Sequence, residues 1–148
     1  RVWKSETGTL LSLLKGHLGK INCLSITRDT TKVLSVSDDC HAKVWDLHNS
    51  KILVDFQKHK TRINCGAISP DGKVILTGDS QSGLAGHIPP QLLLWDANRG
   101  DVISSFVGHK STIFSVLFLD NGREALSASG DPFQRDNSIR LWNLPSHN

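Results

Sequence analysis

The chain has 148 residues, 38% of them hydrophobic and 21% charged, with 12 Gly, no Met and a formal net charge of +3. This composition is globular rather than disordered, and the mild charge is not the clustered basic footprint of a dedicated nucleic-acid-binding domain. No apolar run, Leu92–Trp95 included, approaches the ~20 residues of a membrane span, so no membrane partner is expected.

Read in chain order, the sequence repeats itself. Trp3 closes a short strand and Thr9–Leu14 reads as the next. Gly16-His17 then precedes a strand marked by Ile21, Leu24 and Ile26, a turn at Arg28–Thr31, and strands at Lys32–Ser37, Ala42–Trp45 and Lys51–Phe56. The series restarts at Lys58-His59 with Ile63, Gly66 and Ile68, the turn Pro70-Asp71-Gly72, and strands at Lys73–Gly78, Leu92–Trp95 and Asp101–Phe106. It restarts again at Gly108-His109 with Ile113, Val116 and Phe118, the turn Asp120-Asn121-Gly122, and strands at Arg123–Ala128 and Ser138–Trp142. The Trp residues at 3, 45, 95 and 142 are 42, 50 and 47 residues apart, and the shortest step is that of a four-stranded propeller blade. Apolar intervals of three and then two break the period of a plain strand, which a β-bulge explains. Asp-Gly and Asn-Gly are strong hairpin signals because Gly accepts positive φ. No segment carries a helical period. The fold class expected is all-β: an incomplete propeller of four-stranded antiparallel blades.

The ordered units Gly16-His17 with Trp45-Asp46, His59 with Trp95-Asp96, and Gly108-His109 with Trp142-Asn143 resemble the WD-repeat (WD40) β-propeller family over essentially the whole chain. The resemblance implies a buried tetrad of His, Ser or Thr, Asp, and Trp in each blade. Carried onto this sequence, the first is His17, Ser35, Asp39 and Trp45. The third is His109, Ser127, Asp136 and Trp142, with Asp131 as a competing carboxylate. The second offers His59, Thr77 and Trp95, but Pro89 stands where its Asp is expected. Asp79 is the only nearby substitute, so this blade is expected to be the weakest. The repeats divide the chain into 1–15, the end of a preceding blade; 16–57; 58–107 with an insertion at 79–91; and 108–148, truncated, with an insertion at 130–137.

Other chemistries fit less well. A Ser–His–Asp set invites comparison with a hydrolase triad, which needs an exposed nucleophile and an oxyanion site. A set that recurs blade after blade beside an indole reads as a clamp instead. Asp38, Asp39, Cys40 and His41 are neighbours in a turn and do not converge on one ion. No Gly-rich phosphate loop precedes a helix. Cys23, Cys40 and Cys65, an odd number at wide spacing, form neither a disulfide framework nor a zinc pattern and read as reduced thiols of a cytoplasmic or nuclear protein. Cys23 and Cys65 occupy equivalent places in two Ile-Asn-Cys segments, which favours packing over reactivity. No enzyme activity, cofactor or metal is expected.

By the same resemblance, partners dock on the face that carries the His loops. The matching positions are Lys20, Asn22 and Asp38; Arg62 and Asn64; and Thr112, Phe114 and Arg135. Both insertions fall on this face, where Leu84, Ile88 and Phe133 are apolar residues in polar loops. Loops held on a rigid scaffold often carry function. The expected partners are proteins or peptides, together with the remaining blades of a parent propeller. A regulatory sensor attached to an enzyme such as a signalling NTPase is one alternative. An RNA- or DNA-binding face using Lys20, Arg62 and Arg135 is another. About three blades cannot close a ring of 4–8, and a chain that lacks Met and starts at Arg1 is expected to be a segment of a larger propeller, the alternatives being ring closure by copies of itself and a product with no autonomous fold.

Overall fold

The computed structural model describes residues 1–80, 88–119, 122–132 and 136–145. Among these residues there are thirteen strands and no helix. A two-stranded sheet joins β1 (Val2–Trp3) to β2 (Leu10–Ser12). A four-stranded meander follows: β3 (Ile21–Ile26), β4 (Lys32–Ser37), β5 (Ala42–Asp46) and β6 (Lys51–Phe56). The next contains β7 (Ile63–Ile68), β8 (Val74–Asp79), β9 (Leu92–Asp96) and β10 (Val102–Phe106). The last has three strands, β11 (Ile113–Phe118), β12 (Glu124–Ser129) and β13 (Ser138–Asn143). All pairings are antiparallel between sequence neighbours. These are the stacked blades of a propeller sector.

The first strand of each large sheet slips register near its start, between Ile21 and Cys23, Ile63 and Cys65, and Ile113 and Ser115. One residue in each, Asn22, Asn64 or Phe114, has no cross-strand partner, which is the cause of the three-then-two apolar spacing.

Two cores hold the stack together. One lies between the first two large sheets and joins Leu34, Val36, Val44 and Phe56 to Ile63, Ile75, Leu93 and Trp95. The other lies between the second and third sheets and joins Cys65, Leu76, Leu92 and Leu94 to Ile113, Val116 and Ala125. The middle sheet therefore buries both faces, and β8 is buried along its whole length. Alternate residues serve opposite cores: Ile75 the first, Val74 and Leu76 the second. Close approach of β8 and β11 requires Gly78, since a Cβ there would sit 2.7 Å from Ile113 Cγ2. The outer sheets bury one face only. Leu24 and Ile26 remain exposed on one end of the stack, and Leu117, Ile139 and Leu141 on the other.

The hairpin turns after the first strands share a left-handed residue: Gly72 (φ 70°), Gly122 (φ 62°) and, in the first sheet, Thr30 (φ 59°). A β-branched residue is strained in this region. Asp29 compensates by accepting bonds from the Thr31 amide and from the Thr27 and Thr31 hydroxyls. Replacing Thr30 by Gly is expected to stabilise the chain by about 1 kcal/mol, the relieved strain being partly offset by unfolded-state entropy. A rise in denaturant midpoint at unchanged slope is the check.

Candidate functional site

Each large sheet carries the same buried relay on its His-loop edge. His17 Nδ1 lies 2.8 Å from Asp39 Oδ2, His17 Nε2 lies 2.7 Å from Ser35 Oγ, and Trp45 Nε1 donates to Ser35 Oγ over 2.8 Å. In the second sheet His59 lies 2.8 Å from Asp79 and 2.7 Å from Thr77, and Trp95 donates to Thr77 over 2.7 Å. In the third, His109 lies 2.8 Å from Asp136 and 2.7 Å from Ser127, and Trp142 donates to Ser127 over 2.8 Å. Donor and acceptor types fix the direction of the chain. An indole N–H only donates and a carboxylate only accepts. With the imidazole neutral, the hydroxyl takes the Trp hydrogen and gives its own to His Nε2, and Nδ1 gives its hydrogen to the carboxylate.

The second relay corrects the expectation of a missing acid. Asp79, at the end of β8, takes the place that Pro89 leaves vacant, and both its side chain and that of His59 are almost wholly buried. Its other oxygen accepts the Gln91 amide over 2.6 Å, and its own amide donates to Gln91 O over 3.2 Å. The reason for expecting a weak second blade is thereby removed. In the third sheet Asp131 is not the relay acid; it accepts the Ser111 hydroxyl over 2.9 Å.

Backbone amides add to the hold on the carboxylates. Burial opposes the ionisation of Asp39, but the Leu18 amide, the His17 imidazole and the His41 amide outweigh it and hold the carboxyl well below the usual range. Burial likewise opposes ionisation of Asp136, and the Ser138 hydroxyl, the Lys110 amide and His109 bring it down to about 2. Ser35, Thr77 and Ser127 are buried, each between an indole and an imidazole. A hydroxyl held in this way does not present an attacking oxygen to solvent. Among the described residues no group of three or more His, Cys, Asp or Glu is placed to hold a metal ion. Burial pushes the Cys65 thiol up. Cys23 and Cys65 each direct Sγ at a carbonyl of the following sheet, Gly66 O and Ile113 O, over 3.5 Å.

The residues proposed for docking divide into two sets. Lys20 and Arg62 are exposed on the His-loop edge, with Arg62 Nε donating to Ser80 Oγ over 3.1 Å. Asp38 is exposed there and accepts Asn22 Nδ2 over 2.7 Å. Asn22 and Asn64 are half-buried and bridge sheets instead: Asn22 donates to Ile63 O over 2.9 Å and Asn64 to Ile113 O over 3.4 Å. Thr112 is half-buried, and its carbonyl accepts the Gly130 amide over 3.3 Å. Phe114 is 61% exposed, but it is the counterpart of the two bridging Asn residues, so its ring belongs to the open end of the stack as much as to the docking edge. Ile88 is at the margin of exposure. Leu84, Phe133 and Arg135 lie outside the described residues.

Two features were missed in the sequence. Leu18, in the first His loop, is 98% exposed; a Leu between His17 and Gly19 was the available signal. Asp55 joins the half-buried His41, over 2.8 Å, to the buried Lys43 across the β5–β6 pair. Only the strand register brings these three together.

The family profile of the WD40 repeat (WD domain, G-beta repeat) matches residues 8–46, 50–85 and 100–143, and the chain belongs to this family. It is 30% identical over 133 residues to autophagy-related protein 16 of Arabidopsis thaliana, covering 88% of this chain and 24% of that protein. It is 31% identical to the small ribosomal subunit protein RACK1y of Oryza sativa subsp. japonica, covering 89% of this chain and 35% of that one. The solved structure of U3-55K matches with a TM-score of 0.74 at 26% identity, covering 88% of this chain and 38% of that chain. The chain thus spans roughly a quarter to two fifths of these relatives.

Two outcomes are expected from the relay. Thr77→Val leaves Trp95 and His59 each short of a partner and destabilises by about 1–3 kcal/mol per buried group, read from denaturant melts at neutral pH. For acid, the folded Asp136 value near 2 lies below the unfolded ~3.9. Its contribution is therefore complete above about pH 4 and lost as pH falls toward the folded value. Thermal midpoints should drop mainly below pH 4, and Asp136→Asn should start lower at pH 7 and fall less steeply. Parallel curves would contradict this.

Proposed function

We propose that the chain is a non-catalytic interaction scaffold, one sector of a WD-repeat propeller that docks a partner protein or peptide on its His-loop edge. The observation that carries this reading is the division of groups along that edge. The His, hydroxyl, carboxylate and indole groups are turned inward and mutually satisfied. Leu18, Lys20 and Arg62 point outward from the loops that the relays fix. Arg on a rigid base is a common anchor of an interface, and an exposed Leu beside it adds apolar contact area. The apolar end faces of the stack, with Leu24 at one end and Ile139 at the other, are surfaces for neighbouring blades of a parent propeller. The greater length of the relatives supports that reading. A cytoplasmic or nuclear location goes with it.

An RNA- or DNA-binding edge using Lys20 and Arg62, with Arg135, is the second reading, favoured by the exposure of the first two. It requires binding that weakens steeply with salt.

Leu18→Ala, Arg62→Ala and Ile88→Ala are expected to change stability by no more than about 0.5 kcal/mol, as surface substitutions do, while reducing recovery of bound partners in pull-downs from the parent cell. Undiminished recovery in all three removes the docking edge.

A further inference from the structure

The relay has a consequence for the charge of the edge it underlies. Five carboxylates of the described residues lie there. Asp39, Asp79 and Asp136 face inward onto His17, His59 and His109. Asp38 and Asp131 remain, and each accepts a neighbouring side chain. The three His loops present Lys15, Lys20, Lys58, Lys60, Arg62 and Lys110, all exposed. None of these six forms an ion pair among the described residues.

Their arrangement is ordered. The residue after each relay His is Leu18, Lys60 or Lys110, and the third after it is Lys20, Arg62 or Thr112. Because Asn22 reaches Ile63 O and Asn64 reaches Ile113 O, the same edges of the three sheets are aligned. These side chains therefore form two short rows running from loop to loop. The opposite edge differs. There acids and bases alternate within single turns, as with Arg28 beside Asp29, Asp71 near Lys73, and Arg99 paired with Asp101 at 3.3 Å.

We propose that the His-loop edge selects an acidic linear segment of a partner protein. This rests on the docking reading above and adds the chemistry of the partner. Carboxylates of the segment pair with Lys20, Lys60, Arg62 and Lys110, and an apolar side chain of the segment packs on Leu18. Arg62 is the central anchor: its Nε is already oriented by Ser80 Oγ, which in turn donates to Asn64 Oδ1 over 3.1 Å, and the remaining guanidinium donors suit a bidentate carboxylate contact. A peptide is favoured over nucleic acid because the apolar group among the cations of the first two His loops is Leu18, and Phe114 alone toward the third is too little for a stacking platform. The whole chain also carries a net charge of only +3, too weak for strong long-range capture of a polyanion.

The test is selection of random dodecapeptides displayed on phage against the 148-residue chain, its Lys20→Glu/Arg62→Glu double variant, Leu18→Asp, and Lys73→Glu on the opposite edge, with circular dichroism confirming each fold. The expected result is peptides at least threefold enriched in Asp and Glu, the enrichment abolished in the double variant and kept in Lys73→Glu. Peptides lost with Leu18→Asp but showing no acidic enrichment would overturn the proposal and leave the docking edge standing. Peptides indifferent to every His-loop substitution, or no selected peptides at all, would overturn the proposal, and the former would count against the edge as well. A 12-nucleotide oligouridine that binds more tightly than the best selected peptide would also overturn it, in favour of nucleic acid.

Discussion

One hydrogen-bond relay, repeated in each blade, governs this structure. Trp donates to a hydroxyl, the hydroxyl to imidazole, and imidazole to carboxylate. These four groups come from the third strand, the second strand, the loop arriving from the preceding blade, and the turn between second and third strands. Without the relay the indole, hydroxyl and imidazole would be buried polar groups lacking a partner, which costs about 1–3 kcal/mol apiece. With it, the loop that connects two blades is bound to the interior of the later one. The stack is therefore held in two ways: by apolar cores between blades and by directional bonds that fix each His loop over its own sheet.

The same relay shapes the surface. By drawing a carboxylate inward beneath every His loop, it leaves cations and Leu18 in the majority at the outward positions of that edge, with Asp38 as an exposed acid beside them. The bulges add a second constraint. Asn22 and Asn64, displaced from the ladder, cross to the next sheet, so the loops of successive blades keep a fixed spacing. Fold and candidate site are thus products of the same few residues: those that align the loops also determine which side chains the loops can show.

Much of this was legible in the sequence because it depends on local spacing. The interval of 18 between each His and its hydroxyl partner holds in all three repeats, and Trp recurs at steps of 42, 50 and 47. The bulge was readable because an extra residue disrupts a period of two. The acid of the second relay was harder to assign. Counting back from Trp95 lands on Pro89, since the insertion lies between Trp95 and the acid, and only the fold shows that Asp79 reaches His59 from the near side. The bridging role of Asn22 and Asn64 was hidden for another reason: their partners, Ile63 O and Ile113 O, belong to another sheet, and no spacing within one repeat specifies a neighbour's carbonyl. Lys43, Asp55 and His41 meet through the register of β5 and β6, which the sequence pattern leaves open.

The arrangement at Asp79 has a further bearing on how such a chain can change. The two ends of the insertion, Asp79 and Gln91, are clasped by a pair of hydrogen bonds of 2.6 and 3.2 Å, and Asp79 is itself anchored on His59. With its mouth held shut, a segment spliced between them adds closure entropy that grows only slowly with length. That junction is a natural graft point, where foreign sequence can be hosted without loosening the blade that bears it.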